Sequence, residues 1–176
     1  MGLTLLEKAT EGNKRAFKKL MQRDSEFIYK LAFLHTKYEY DAKKIMQNSI
    51  LYINNSIKKS SKFRNSEHFT NYKKFVMKVT IKQINEYLEE EGIVDNSNIN
   101  YFDEEGNIDM YKAIDLLDIY QKNVVVLFYF YNLTYKEVGD ILDMNESTVK
   151  MYLRNSLKIM RDKIKGEFIY GENNVK

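Results

Sequence analysis

No proline occurs anywhere in the 176 residues, and glycine is scarce at 7. Proline fixes φ and removes a backbone donor, so it is the strongest helix breaker. A chain without it has little to stop a helix once an apolar face is in place. Apolar residues here recur at helical spacing. Leu5, Leu6, Ala9, Ala16, Phe17 and Leu20 predict helix from Thr4 to Arg23, interrupted at Gly12-Asn13, where Asn13 can cap a second helix. Phe27, Ile28, Leu31, Ala32 and Leu34 predict a separate helix over 25–36. Ile45, Met46, Ile50, Leu51, Ile53 and Ile57 predict a long one capped by Asp41, and Phe75, Val76, Val79, Ile81, Ile84 and Leu88 another over 71–90. Met110, Ala113, Ile114 and Leu117, reaching towards Tyr120, predict the next, followed by one over 121–131. The Val and Phe run in that last segment also suits a strand, but no second strand is available to pair with it, so helix is favoured.

Charge divides the chain. Residues 1–88 hold 18 Lys/Arg against 8 Asp/Glu, residues 89–118 hold 1 against 10, and residues 119–176 hold 9 against 7. The acidic stretch contains Gly92 and Gly106, is rich in Asn and Asp, and lacks an apolar period, which marks a linker. The expected fold is all-α: a helical domain over 1–90, an acidic flexible linker over 91–108, a second helical domain over 109–168, and a tail over 169–176. Basic modules attract phosphate; the plainer reading of such blocks is solvated faces around a flexible connector.

Several function classes have no residues to support them. Cysteine is absent, so no disulfide framework, thiolate metal site or cysteine nucleophile exists. His35 and His68 are isolated, and no metal is expected. The carboxylates of 89–91 and 103–105 fall on the linker, where rigid catalytic placement is lacking. No glycine-rich phosphate loop or Ser/His/Asp layout occurs, so neither an enzyme nor a cofactor is expected. The longest apolar run is far short of the roughly 20 residues of a membrane span. The N-terminal residues lack a secretory layout, so membrane insertion is not expected and a cytoplasmic location is. The 8 Met and 14 Tyr are read as core filling, including Tyr38, Tyr40 and Tyr72, with Phe63 in its basic loop as an exception suited to stacking on a base.

The most informative segment runs from Leu133 to Lys165. Thr134 and Glu137 form a T-x-x-E capping box, and Val138, Ile141 and Leu142 give the helix after it an inward face. Gly139 falls where two helices must approach closely. Asp143 to Asn145 is a short turn in which Asp143 can take the left-handed conformation. Asn145, or Ser147 if the start is later, caps the next helix, whose stripe is Val149, Leu153, Leu157, Met160 and Ile164. Its other face carries Lys150, Arg154, Lys158, Arg161, Lys163 and Lys165, 6 basic residues against 2 acidic between Asn145 and Lys165. The plainer reading is an ordinary helical hairpin with a basic solvent face; two short helices with a capping box, a small residue, a tight turn and a basic second helix favour a DNA-binding helix-turn-helix. Ser147, Thr148 and Lys150 can reach bases; Arg154 and Lys158 suit phosphates.

These residues resemble the bacterial sigma factor family of the sigma-70 type, in particular the small extracytoplasmic-function (ECF) group, as a divergent member. Leu133 to Leu153 looks like the helix-turn-helix of sigma domain four, and Leu116-Leu117 with 121–130 like the paired helices before it. Gly12 to Leu20 with Ile28 to Ala32 resembles the opening of sigma domain two. Asp41 to Leu51 resembles the helix that docks on RNA polymerase, and Phe75, Val76, Val79 and 86–88 the helix at the promoter −10 element. The resemblance implies a sigma factor that docks on core RNA polymerase through Lys44, Ile45, Gln47, Asn48 and Leu51. It implies −10 contacts from Phe63, Arg64, Lys78 and Lys82, and −35 contacts from Glu146, Ser147, Thr148, Lys150, Tyr152, Arg154 and Lys158. The partners implied are core polymerase, promoter DNA and an anti-sigma factor. This chain departs from the family pattern at several positions. Lys44 and Asn48 stand where the docking helix usually has acids, Phe75 and Lys82 where the −10 helix has Trp and Asn, and Tyr152 where the recognition helix has Arg. Two alternatives follow from those departures: a stand-alone DNA-binding regulator, and an interaction protein that binds polymerase or an anti-sigma factor without reading promoters.

Overall fold

A computed structural model describes the backbone of residues 4–58, 68–91 and 109–172, and the side chains of these except 68–70 and 164–172. The chain divides into two compact units, with the boundary between Ile93 and Val94. Among the described residues every regular element is helical.

In the first unit, α1 (Leu5–Thr10) opens with a reciprocal capping box between Thr4 and Glu7. Gly12 turns the chain at φ +89°, and Asn13 caps α2 by accepting from the Ala16 N–H at 3.0 Å. α2 (Lys14–Thr36) is one helix of 23 residues, not the two predicted. Ser25 does not restart it, because its hydroxyl donates to the Gln22 carbonyl within the same helix at 3.3 Å. Lys37, left-handed at φ 61°, ends it. α3 (Glu39–Ile57) then begins ahead of the expected cap. Asp41 lies inside its first turn and accepts from the Tyr87 hydroxyl at 2.8 Å. α4 (His68–Glu91) completes the unit.

Leu6, Ala9, Ala16, Leu20, Met21, Ile28, Ile53, Ile57, Tyr72, Val76 and Val79 form the core, drawn from all four helices. Two tyrosines of α4 reach half-buried carboxylates on neighbouring helices. The Tyr72 hydroxyl donates to Asp24 at 2.8 Å, and Asp24 also takes the Arg23 guanidinium. Burial, reinforced by the neighbouring carboxylates of Asp24 and Asp41, holds both the Tyr72 and the Tyr87 phenol well above the ordinary tyrosine range.

The second unit starts with α5 (Met110–Ala113), a single turn capped by Asp109, followed by a tighter turn over Ile114–Leu116. The helix predicted to continue towards Tyr120 stops here, because Leu117 is extended at ψ 143°. Asp118 caps a fresh start in a box with Gln121, and α6 (Ile119–Val125) continues into a wider π-type turn over Val126–Phe130. The favoured helical reading of 121–131 therefore holds over most of its length. Asp115 and Lys122 form an almost fully buried ion pair of 2.6 Å that ties the tight turn to α6. α7 (Tyr135–Leu142) and α8 (Glu146–Glu172) finish the unit, and α8 packs on both α6 and α7. Of the linker expected over 91–108, Glu91 belongs to α4 and residues 92–108 lie outside the described residues; the tail expected from 169 is helical as far as Glu172, and residues 173–176 lie outside them too.

Candidate nucleic-acid interface

The turn between α7 and α8 is built from local rules. Thr134 accepts from the Glu137 N–H at 3.3 Å, and Glu137 accepts from the Thr134 N–H at 3.0 Å. α7 ends at Asp143, left-handed at φ 56°, ψ 41°, whose N–H returns to the Gly139 carbonyl. Met144 donates to the same carbonyl at 3.0 Å. Gly139 sits so close to the Met144 carbonyl oxygen that a Cβ there would overlap it. Asn145 is the cap of α8: its Oδ1 accepts from the Thr148 N–H at 2.8 Å and from the hydroxyls of Ser147 and Thr148.

On α8, Val149, Leu153, Ser156 and Met160 are buried. At 100° per residue these define the inward side. The opposite arc carries Ser147, Met151, Arg154, Asn155 and Lys158, all exposed. Arg154 and Lys158 make no ion pair among the described residues, so both cations are free to meet phosphate. Lys150 is exposed at the edge of that arc and is partly engaged. Its Nζ lies 3.9 Å from Glu146 and 5.1 Å from the centroid of the Tyr135 ring, which stacks on Phe128 at 4.9 Å. With their protons given to Asn145, the Ser147 and Thr148 oxygens are left as acceptors, matched to base amino groups.

The sequence-derived −35 residues thus fall into two groups. Glu146, Ser147, Lys150, Arg154 and Lys158 are exposed, whereas Thr148 and Tyr152 are half-buried. Met151 and Asn155 were missed. Helical periodicity alone would have found them, but methionine was read as a core filler, and Met151 is 52% exposed.

The first unit presents a second surface. Along α4, Lys74, Lys78 and Lys82 recur every four residues, making a basic stripe that gives way to Glu86. Lys82 is 3.5 Å from Glu86, and its Nζ lies 5.4 Å from the ring centroid of Tyr52 on α3. Phe63 and Arg64, the other expected −10 residues, lie outside the described residues.

On α3 the expected docking residues do not share a face. Lys44, Gln47, Asn48 and Leu51 are exposed, Leu51 at 61%, together with Tyr40 at 75%. Ile45 is fully buried at 0% and is a core residue, because it follows Ala42 and precedes Ser49 and Ile53 on the inward side. Lys44 reaches Glu91 at 3.3 Å and lies over the Tyr87 ring at 4.8 Å. The reading of tyrosines as core filling holds for Tyr72 but not for Tyr38 and Tyr40, which are exposed. Among the described residues no cluster of three metal-ligating side chains occurs, and no helix is long and apolar enough to cross a membrane.

Comparison with known proteins agrees with this geometry. Residues 108–160 match the family described as Sigma-70, region 4. The RNA polymerase sigma factor SigV of Bacillus subtilis (strain 168) is 28% identical over 142 residues, which cover 76% of this chain and 82% of SigV. Two solved structures share the fold. CnrH, in complex with the cytosolic domain of CnrY, matches with a TM-score of 0.67 and 15% identity, over 93% of this chain and 96% of that one. The sigma factor RpoE, in complex with the anti-sigma factor NepR from Bartonella quintana, gives 0.60 and 14%, over 85% and 96%.

Proposed function

The chain is a divergent relative of the sigma-70 family that carries its region 4 in residues 108–160, and from that premise we propose that it is an RNA polymerase sigma factor directing promoter-specific initiation. The observation that carries the reading is one chain holding both a helix-turn-helix with free cations on its outward arc and a separate helical unit with a basic stripe. A stand-alone regulator needs only the first.

In this reading α8 enters the major groove of the −35 duplex. Ser147, Lys150 and their neighbours face base edges, while Arg154 and Lys158 neutralise phosphates and fix the register. The Lys74, Lys78 and Lys82 stripe of α4 follows the backbone of the opened −10 strand, as cationic grooves do on single strands. Tyr40, Gln47, Asn48 and Leu51 on α3 supply the contact with core polymerase. The acidic linker expected over residues 91–108 is repelled by DNA phosphate, which leaves it to a basic surface of the polymerase. The protein performs no chemistry of its own, requires no cofactor, and acts in the cytoplasm. An anti-sigma protein is a further expected partner, of the kind RpoE has in NepR.

The test is run-off transcription by purified core polymerase on DNA from upstream of the protein's own gene, with and without the protein. A defined transcript that depends on the protein is the expected result. DNA binding without any transcript would instead assign a stand-alone regulator.

A further inference from the structure

The middle of the outward arc of α8 is occupied by an apolar residue. Met151 is 52% exposed, more than Met110 at 39% and far more than Met21, Met77 and Met160 at 6% or less. Ser147 precedes it by one turn, Asn155 follows by one turn, and Arg154 and Lys158 flank it, all exposed. Met151 is the sixth residue of α8, inside the first two turns, the part of a recognition helix that reaches base edges. The side chain has no charge and no donor, and its thioether is a weak acceptor. An apolar side chain exposed among polar ones gains only by covering apolar surface.

Building on the reading of α8 as a major-groove helix, we propose that Met151 is a sequence-reading residue that packs on the C5-methyl group of a thymine. The major groove presents acceptors, amino donors and a single kind of apolar group, the thymine methyl. Of these only the methyl matches what Met151 can offer. Asn155, about 6 Å further along the helix axis, has the amide that pairs with N6 and N7 of adenine. The two residues together specify a step rich in A·T pairs. The free cations of Arg154 and Lys158 beside them hold the helix down on the flanking phosphates.

The experiment uses the full chain, alone and with core RNA polymerase, to select duplexes from a library of 20 random base pairs. The best duplex is resynthesised with deoxyuridine replacing each thymine in turn, which removes only the methyl group. For the wild type, affinity should fall about fourfold at one thymine, the loss expected from uncovering one methyl. Met151→Ala should bind the thymine duplex about fourfold less well than the wild type, and should show no uridine penalty at that position. Met151→Leu should keep the preference. Because Met151 is exposed and alanine favours helix, neither change threatens the fold. A flat uridine scan, or an equal uridine penalty in wild type and Met151→Ala, overturns the role of Met151 while leaving α8 as a DNA reader. Failure to enrich any duplex overturns the reading of α8 itself, and the role of Met151 with it.

Discussion

Replacing Gly139 by Ala tests the helix-turn-helix geometry where it is tightest. In an ordinary helix interior this change is favourable by up to ~1 kcal/mol, because alanine loses less backbone entropy than glycine. Here the new Cβ would overlap the Met144 carbonyl oxygen. That oxygen belongs to the backbone and cannot swing aside. Its residue is anchored, since the Met144 N–H donates to the Gly139 carbonyl at 3.0 Å and the Asp143 N–H shares that acceptor. Relief therefore means opening the turn. Overpacking of this kind costs ~1–3 kcal/mol, and weakening two hydrogen bonds adds ~1 kcal/mol. After the propensity gain the net destabilisation is about 2 kcal/mol. In a unit of this size that lowers the melting midpoint by roughly 10 °C. Thermal unfolding of the full chain by circular dichroism reads the midpoint, and hydrogen exchange should show the loss of protection confined to α7 and α8. A useful control is Gly12, which has nothing within 4 Å of a built Cβ but sits at φ +89°. Gly12→Ala should cost about 1 kcal/mol through backbone conformation alone and loosen α1 and α2 instead. An unchanged or raised midpoint for Gly139→Ala would refute the close approach of α7 to the turn.

On α3, Leu51→Asp should reduce co-purification with core polymerase by tenfold or more, as loss of an apolar anchor does, without changing the melting curve. Ile45→Asp should instead unfold the first unit, since it buries an unpaired charge. Arg154→Ala with Lys158→Ala should weaken binding to every duplex alike and flatten the slope of log affinity against log salt by about 2, read by fluorescence anisotropy across a salt series. Tyr72→Phe removes the hydroxyl bond to Asp24 and should cost ~1–2 kcal/mol in a urea titration at pH 7. The folded-state pKa of Tyr72 is raised, so the neutral phenol's stabilisation is complete below the ordinary value near 10 and is lost as pH climbs above it. The first unit should accordingly unfold in alkali, and Tyr72→Phe should make its stability less steep in that range.

What the sequence disclosed depended on how far apart the interacting residues stand. Features set within four residues were legible: the capping box of Thr134 and Glu137, the left-handed Asp143, the Asn13 and Asn145 caps, and the small residue at Gly139. Features decided across the unit were not. Asp41 looks like a cap until Tyr87, from another helix, claims its carboxylate. Ser25 looks like a helix start, but a core running through Leu20, Met21 and Ile28 carries α2 straight past it. The break at Leu117 was legible in principle, since Asp118 and Gln121 form a capping box of the same kind as Thr134 and Glu137. The apolar period across it, from Ile114 towards Tyr120, hid the signal.

Helical phase settles which part of the family likeness can describe a surface. Matching a motif carries residues across as a consecutive run, yet a helix separates neighbours in sequence by about 100°. Of the run from Lys44 to Leu51, Ile45 and Ser49 turn inward with Ala42 and Ile53, and only Lys44, Gln47, Asn48 and Leu51 turn outward beside Tyr40. The outward set contains no carboxylate, and its cation is drawn towards Glu91 and the Tyr87 ring. On the docking reading proposed above, a partner meeting this face finds two amides and two apolar side chains beside the Lys44–Glu91 ion pair. Its grip depends on shape and burial around Leu51 and Tyr40. On that reading Leu51, and not Lys44, is the position at which a substitution should separate docking from folding.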